Sequence, residues 1–79
     1  MVAFSSHADD MLRERKVASW QVIAGVGEGR MLIERPHDRP NPVAEVEQTL
    51  ADGTPYKAVW AFAKRRGLAV VVTIHFFDR

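Results

Sequence analysis

The clearest pattern of apolar and polar residues lies near the end of the chain, where residues 68–77 form a nearly continuous apolar run. Thr73 and His75 are its only polar members. Successive side chains of a strand point to opposite faces, so these two side chains share a face. The run is predicted to be a strand with residues 68, 70, 72, 74 and 76 on one face and residues 69, 71, 73, 75 and 77 on the other.

A second strand is predicted over residues 43–50, where apolar and polar residues alternate. This period of two is typical of a strand with one exposed face. Glu45, Glu47 and Thr49 lie on its polar side, and the other side holds Ala44, Val46, Gln48 and Leu50. The pair Asp52–Gly53 follows directly and favours a tight turn.

Residues 55–66 are compatible with either a helix or a strand. Thr54 and Pro55 fit a helix N-cap and first helical position, and Gly67 fits a C-terminal stop. Against this, the aromatic residues at positions 56, 60 and 62 alternate with other residues and favour a strand. The residues alone leave both alternatives open.

A first helix is predicted near the start of the chain, from a cap at Ser5 or Ser6 through Arg15. Its acidic residues, Asp9 and Asp10, lie in the first turn and its basic residues lie in the last. Charges placed in this way complement the dipole of a helix and stabilise both of its ends.

A second short helix is predicted over residues 20–25 with Ser19 as its cap, although residues 17–24 are also compatible with a strand. Residues 31–33 are apolar and predict a short strand. Prolines then enclose an irregular loop over residues 37–41, because proline has no N–H to contribute to a helix or a sheet.

The length of 79 residues corresponds to a single domain over residues 1–79. Hydrophobic residues make up 47%, which excludes a disordered chain. A domain this small needs its large side chains in the core, so Trp20 and Trp60 are predicted to be buried. The chain has no cysteine, which excludes a disulfide framework and a cysteine-based zinc site. The net charge of +1 argues against a strongly electrostatic nucleic-acid binder.

No signal peptide is visible in residues 1–7, which have neither a basic start nor a long apolar run. The apolar run over residues 68–77 is about half of the ~20 residues that a membrane-spanning helix needs. The protein is therefore predicted to be cytoplasmic and to have no membrane partner.

Four short blocks of residues are similar, in the same order, to the sequence pattern of one bacterial family. They are His7-Ala8 with Glu14-Arg15 and Val17, Ile33-Glu34 with residues 38–42, residues 52–55 with Val59 and Ala61, and residues 72–75. On these blocks the chain resembles the domain-of-unknown-function 4258 family from His7 to Asp78. It departs from the family pattern at Met11, Lys57 and His75, where the family usually has Arg, His and Tyr.

This family looks related to the RelE/BrnT-like toxin superfamily, whose small domains act as ribonucleases. The resemblance implies an α+β fold with two short N-terminal helices packed on an antiparallel β-sheet, a meander of three to four strands. It also favours a strand within residues 55–66. The function that it implies is a ribonuclease-type toxin of a toxin–antitoxin system or mobile element, with RNA and an antitoxin or other protein as partners.

Four residues are candidate catalytic groups: His7, Arg15, Lys57 and His75. RNA cleavage requires that the 2′-hydroxyl lose a proton, that the leaving 5′-oxygen gain one, and that a cation stabilise the phosphorane. Lys57 and His75 can act together if their strands are neighbours in a suitable register. The structural alternative is that His7 and Arg15 serve the two ends of their helix, and that Lys57 and His75 belong to a solvated face.

A metal site is not expected. His7, Asp9 and Asp10 are metal-ligand types, but helical spacing brings only His7 and Asp10 to one face, and two ligands are not a site. No metal and no other cofactor is predicted, and the cleavage is predicted to be metal-independent.

Four further residues are candidate contacts for a substrate or partner. Asp38 and Arg39 lie in the proline-enclosed loop, where stiff backbone presents side chains to a partner. Arg65 and Arg66 follow Lys64 in a basic segment. The structural alternatives are an Asp–Arg ion pair within the loop and a solvated turn.

Two rival functions use the same features. A non-catalytic accessory or inhibitor module would bind a protein through the proline-enclosed loop and an exposed sheet edge. A non-enzymatic RNA binder would use the basic segment, residues 64–66, and the face that carries His75 and Phe77.

Overall fold

A computed structural model describes residues 1–39 and 41–77. In chain order its elements are β1 (Val2–Phe4), α1 (Ser6–Arg15), α2 (Ser19–Val26), β2 (Arg30–Arg35), β3 (Val43–Thr49), β4 (Pro55–Ala63) and β5 (Leu68–Phe76). A short 3-10 turn, Lys64–Arg66, joins β4 to β5. These described residues form one five-stranded sheet with the strand order β1-β5-β4-β3-β2.

The sheet is mixed, because β1 pairs with β5 in parallel while the other neighbouring strands are antiparallel. The predicted α+β class with two N-terminal helices is confirmed. The predicted antiparallel meander of three to four strands is wrong. β1 was missed because three residues are too few to display an alternation. It is held in place by Ser5, whose backbone N–H donates to the carbonyl of Val71 at 3.0 Å.

Both predicted helices form, but only one uses its predicted cap. Ser5 Oγ accepts a hydrogen bond from the N–H of Ala8 at 3.0 Å and begins α1. The prediction of Ser19 as the second cap is wrong, because Ala18 occupies that position and donates its N–H to Gln21 Oε1 at 3.1 Å. Neither helix in the described part of the chain is long and apolar enough to cross a membrane.

The ambiguous segment is a strand, since Pro55–Ala63 pairs with both β3 and β5. The apparent helix signals at its ends belong to turns. Asp52 Oδ1 accepts from the N–H of Thr54 at 2.9 Å, and Gly53 has a left-handed φ of +93°. Gly67 has a φ of +58° and closes the turn between β4 and β5.

A bulge in β5 changes which residues face the core. Val59 pairs with Thr73 whereas Trp60 pairs with Val71, so Val72 is an extra residue on β5. Val71 is therefore buried on the same face as residues 74 and 76. The predicted alternation of faces therefore holds among residues 73–76. It is wrong in placing residues before the bulge, such as Val70, on the same face as residues 74 and 76.

Both helices cover the same face of the sheet, and the core lies between the helices and that face. Val22 of α2 is fully buried, whereas Trp20 is 66% exposed, so the prediction that Trp20 is buried is wrong. Residues two apart on a helix do not share a face, which explains the difference. Trp60 is half-buried and packs against the core. The core cluster comprises Ala8, Leu12, Val22, Tyr56, Ala58, Val71, Ile74 and Phe76.

A buried amide connects α2 to the middle of the sheet. Gln48 is 1% exposed, and its Nε2 donates to the carbonyl of Val22 at 2.9 Å and to Tyr56 Oη at 2.8 Å. Its Oε1 accepts from Trp60 Nε1 at 3.0 Å. Burial raises the pKa of Tyr56 despite the hydrogen bond from Gln48. The side chain of Gln48 thus makes three hydrogen bonds inside the core.

We expect Gln48→Leu to lower the free energy of unfolding by about 2–4 kcal/mol, because two buried polar groups and the half-buried indole N–H of Trp60 then lose their partner. Urea denaturation followed by tryptophan fluorescence measures the change. Thr49→Ala, on the exposed neighbour, is the control and should leave the midpoint nearly unchanged. Equal midpoints for the Gln48→Leu variant and the original protein would contradict the role assigned to this amide.

Gly29, between α2 and β2, is required by a close approach of the backbone. A Cβ at Gly29 would lie 2.5 Å from Val46 Cγ1 and 3.0 Å from the carbonyl oxygen of Glu47. We expect Gly29→Ala to destabilise the fold by about 1–3 kcal/mol through overpacking. Gly27→Ala is the matched control, because a Cβ there meets nothing within 4 Å. Calorimetric melting temperatures compare the two variants, and similar values would show that the contact at Gly29 relaxes freely.

Candidate active site

The sheet face opposite α1 and α2, here called the open face, carries a row of four polar side chains. The row runs across β2 to β5 through Arg30, Glu47, Lys57 and His75, each the Cα partner of the next. It faces away from the core because its members alternate with buried residues such as Ala58. Four strands thus place cations, a carboxylate and an imidazole side by side.

A second carboxylate connects two cations of the open face. Glu45 Oε2 lies 2.8 Å from Arg35 Nη1, and its Oε1 lies 3.2 Å from Lys57 Nζ. Arg35 Nε also contacts Asp38 Oδ2 at 2.9 Å. The side chain of Glu45 is only 12% exposed, so these ion pairs are better shielded from water than most on the surface.

The cations hold Glu45 in its ionised form. The hydrogen bond from Arg35 lowers the pKa of Glu45 most, and the one from Lys57 adds to the effect. The same contact with Glu45, followed by that with Asp38, raises the pKa of Arg35. Arg35 and Glu45 therefore stabilise each other's charged forms.

The carboxylate of the row is oriented by its neighbour on β2. Arg30 Nη2 and Nε contact Glu47 Oε1 at 2.6 Å and 3.1 Å. Both contacts use the same oxygen, so Glu47 Oε2 accepts no hydrogen bond from the described residues. One carboxylate oxygen is fixed and the other remains available to a ligand.

The imidazole ends the row at β5. His75 is exposed, and its ring meets the edge of the Phe77 ring with 5.9 Å between centroids. Imidazole can both accept and donate a proton near neutral pH. The open face therefore combines a proton-transfer group with the neighbouring ammonium group of Lys57.

The four candidate catalytic residues do not lie together. Lys57 and His75 are direct partners on neighbouring strands of the open face. Arg15 lies on the helix side, with its guanidinium carbon 4.3 Å from the centroid of the Phe76 ring. His7 is exposed in the first turn of α1, also on the helix side. The sheet thus separates His7 and Arg15 from the open face.

The candidate binding residues lie at the other end of the sheet from His75. Asp38 pairs with Arg35 rather than with its neighbour Arg39, which is exposed. Arg65 and Arg66 are exposed in the 3-10 turn between β4 and β5. Within residues 1–39 and 41–77, no group of three or more histidine, cysteine or acidic residues could hold a metal ion.

Sequence reasoning did not assign Arg30, Arg35, Glu45 or Glu47 to the site. The alternation in residues 43–50 already placed Glu45 and Glu47 on one face, which was the available signal. That they lie beside Lys57 depends on the pairing of β3 with β4, which local alternation does not encode.

Residues 4–76 match the family described as "Domain of unknown function (DUF4258)". The chain belongs to this family. The match includes every residue of the open-face row and the whole of the sheet from β2 to β5. Comparisons with curated proteins and with solved structures gave no match.

The lowered pKa of Glu45 makes the stability of the fold depend on pH. A carboxylate whose folded pKa is depressed contributes stability above its unfolded pKa of about 4.3 and loses it as pH falls through the folded value. We expect Glu45→Gln to reduce the free energy of unfolding at pH 7. The variant should also lose less of its free energy of unfolding as pH falls from 5 through the folded pKa of Glu45. Urea titrations across this range measure the effect. Glu14→Gln, on the exposed surface of α1, is the control and should show the same dependence of the free energy of unfolding on pH as the original protein. The same dependence for Glu45→Gln would refute the contribution assigned to Glu45.

Proposed function

We propose that this chain is a metal-independent endoribonuclease, of the type that acts as the toxin of a toxin–antitoxin system or mobile element. The observation that supports the proposal is the row on the open face, where Lys57 separates Glu47 from His75. The resemblance of the family to the RelE/BrnT-like toxin superfamily points to the same class of reaction.

The reaction proposed is transfer of the phosphodiester to the neighbouring 2′-hydroxyl of RNA. Glu47 Oε2 takes the proton of the 2′-hydroxyl, whose oxygen then attacks phosphorus. His75 donates a proton to the 5′-oxygen as its bond to phosphorus breaks, leaving a 2′,3′-cyclic phosphate. Two strand spacings of about 4.8 Å separate the backbones of these residues, roughly 10 Å in total, which leaves space for a phosphate between them.

Lys57 is proposed to stabilise the phosphorane from its position between the two groups. It now contacts Glu45, but Glu45 is also bound by Arg35 at 2.8 Å. The ammonium of Lys57 can therefore move to a phosphate oxygen without leaving the carboxylate unpaired. Such a shift avoids the large cost of an isolated, shielded charge. His7 and Arg15, on the other side of the sheet, take no part in this mechanism.

The proposal predicts that Lys57→Ala and His75→Ala each reduce RNA cleavage by about 10²–10⁴-fold, the usual contribution of a proton-transfer or charge-stabilising group. His75→Ala removes an exposed side chain and should leave the melting temperature nearly unchanged. Lys57→Ala should lower the melting temperature only slightly, because Arg35 still pairs with Glu45. Single-turnover cleavage of a labelled RNA, with the ends identified by mass spectrometry, measures the effect. Cleavage should persist in EDTA and produce 2′,3′-cyclic phosphates.

His7→Ala is the matched control, because His7 is exposed in the first turn of α1, on the helix side of the sheet and away from the row. This variant should cleave RNA normally and, like the original chain, slow bacterial growth. Loss of all cleavage in EDTA would refute the metal-independent mechanism. A purified protein that neither cleaves RNA nor slows growth would refute the ribonuclease function.

A second candidate function is docking of an extended segment of a partner protein along β2. β2 is at the edge of the sheet, and Met31, Leu32 and Ile33 are 54%, 39% and 46% exposed. Exposed apolar edge strands are templates for strand addition. If this edge holds an antitoxin or other protein, Ile33→Lys should abolish co-purification with the product of the adjacent gene and leave RNA cleavage unchanged.

A further inference from the structure

A cluster of cations lies at the end of the open face opposite to His75. It consists of Lys64, Arg65 and Arg66 of the 3-10 turn together with Arg39 of the loop after β2. Lys64 and Arg39 line the same cleft of about 260 Å³. Among the described residues, the only acidic one in that cleft is Asp38, which is bound to Arg35. None of the four cations forms an ion pair with a described residue, in contrast to the paired cations of the open-face row and its neighbours.

A larger cavity of about 640 Å³ lies directly under the turn. Lys64, Arg65 and Arg66 line one side of it, and Ala63, Leu68 and Val70 supply apolar surface. No acidic residue in the described part of the chain lines this cavity. Its size is within the range of small-molecule and cofactor sites, and it combines positive charge with an apolar surface, as a nucleotide-binding site does.

The cavity lies at the end of the sheet, and its residues Ala63, Leu68 and Val70 belong to the same face as the row. Phe62, which also lines the cavity, belongs to the opposite face. Ala63 pairs with Leu68 near the turn, and Lys57 pairs with His75 farther along the same two strands. Ala63 lies six positions after Lys57 along β4, a distance of roughly 20 Å at about 3.4 Å per residue. Several nucleotides of an extended strand can cover this span.

An exposed aromatic ring lies at the far end of this path. Phe77 is 47% exposed, and its ring touches that of His75. Sequence-tolerant binding of single strands combines a cationic groove with aromatic rings on which bases stack. A duplex keeps its bases stacked on each other, so it offers no free base to such a ring.

We infer that the open face binds single-stranded RNA, with the cation cluster at the β4–β5 turn as a phosphate site remote from the cleaved bond and Phe77 as a stacking platform beside His75. The inference rests on the proposed ribonuclease function only for the cleavage of the bound strand; the binding itself does not depend on that function. The near-neutral net charge of the chain is compatible with it, because four cations that pair with no described carboxylate lie together at one end of the sheet.

The test measures binding apart from cleavage. A fluorescent single strand of about eight nucleotides, 2′-O-methylated throughout, cannot be cleaved by its own 2′-hydroxyls. Fluorescence anisotropy at several KCl concentrations gives the dependence of affinity on salt. Arg65→Gln/Arg66→Gln is compared with Arg13→Gln/Lys16→Gln, which removes two formal charges from exposed positions in and after α1. Of these two, Arg13 forms an exposed ion pair with Asp10 at 3.0 Å.

We expect the turn variant to bind at least tenfold more weakly at low salt. The slope of log affinity against log salt should fall by about 1.4, or 0.7 for each of the two phosphates that the variant no longer neutralises. Phe77→Ala should weaken binding about tenfold with an unchanged slope, because stacking is not electrostatic. The charge-matched control should resemble the original protein.

Equal salt slopes for the turn variant and the control would refute the phosphate site, and binding of a duplex as tightly as the single strand would refute single-strand recognition. Failure to bind RNA, together with binding of an acidic peptide at the turn, would overturn the inference as a whole and favour a protein partner. Binding with the expected slopes but no cleavage of unmodified RNA would refute the ribonuclease function alone. Cleavage with equal slopes would leave that function standing and refute only the phosphate site.

Discussion

The buried amide of Gln48 is the interaction on which the arrangement of the sheet depends. Its three hydrogen bonds join the middle of α2 to Tyr56 and Trp60 on β4. A shift of β3 by one residue would turn this amide towards solvent and bring Glu47 into the core, because side chains alternate along a strand. Three unsatisfied groups and a buried carboxylate would then oppose the shift. The register that places Glu47 beside Lys57 is thereby protected by a hydrogen-bond network on the opposite face.

The charges of the chain are arranged in two different ways along the open face. In the middle, each of Arg30, Arg35 and Lys57 contacts a carboxylate of β3. At the β4–β5 turn, the cations of residues 64–66 form no ion pair with the described residues. A net charge of +1 for the whole chain therefore conceals a balanced region, suited to proton transfer, and a positive region, suited to an anionic polymer.

Much of the fold was predictable because its signals are local. The alternation in residues 43–50 correctly separated Glu45 and Glu47 from Gln48, and the Asp52–Gly53 turn was correctly predicted. For the site, alternation put Thr73 and His75 on one face, where the structure has them. Lys57 remained uncertain because its own segment was compatible with two structures. Arg15 was a candidate by residue type alone, and its place beside Phe76 follows from how α1 packs on β5.

The sequence by itself determined the elements and the faces of their side chains, since both follow from residues close together in the chain. Tertiary structure decided what those elements meet. The addition of β1 to the edge beside β5, the bulge at Val72 and the pairing of Lys57 with His75 all depend on contacts between distant segments. The free energy of such contacts comes from burying one shared face and from satisfying the backbone between strands, neither of which exists until the chain is folded.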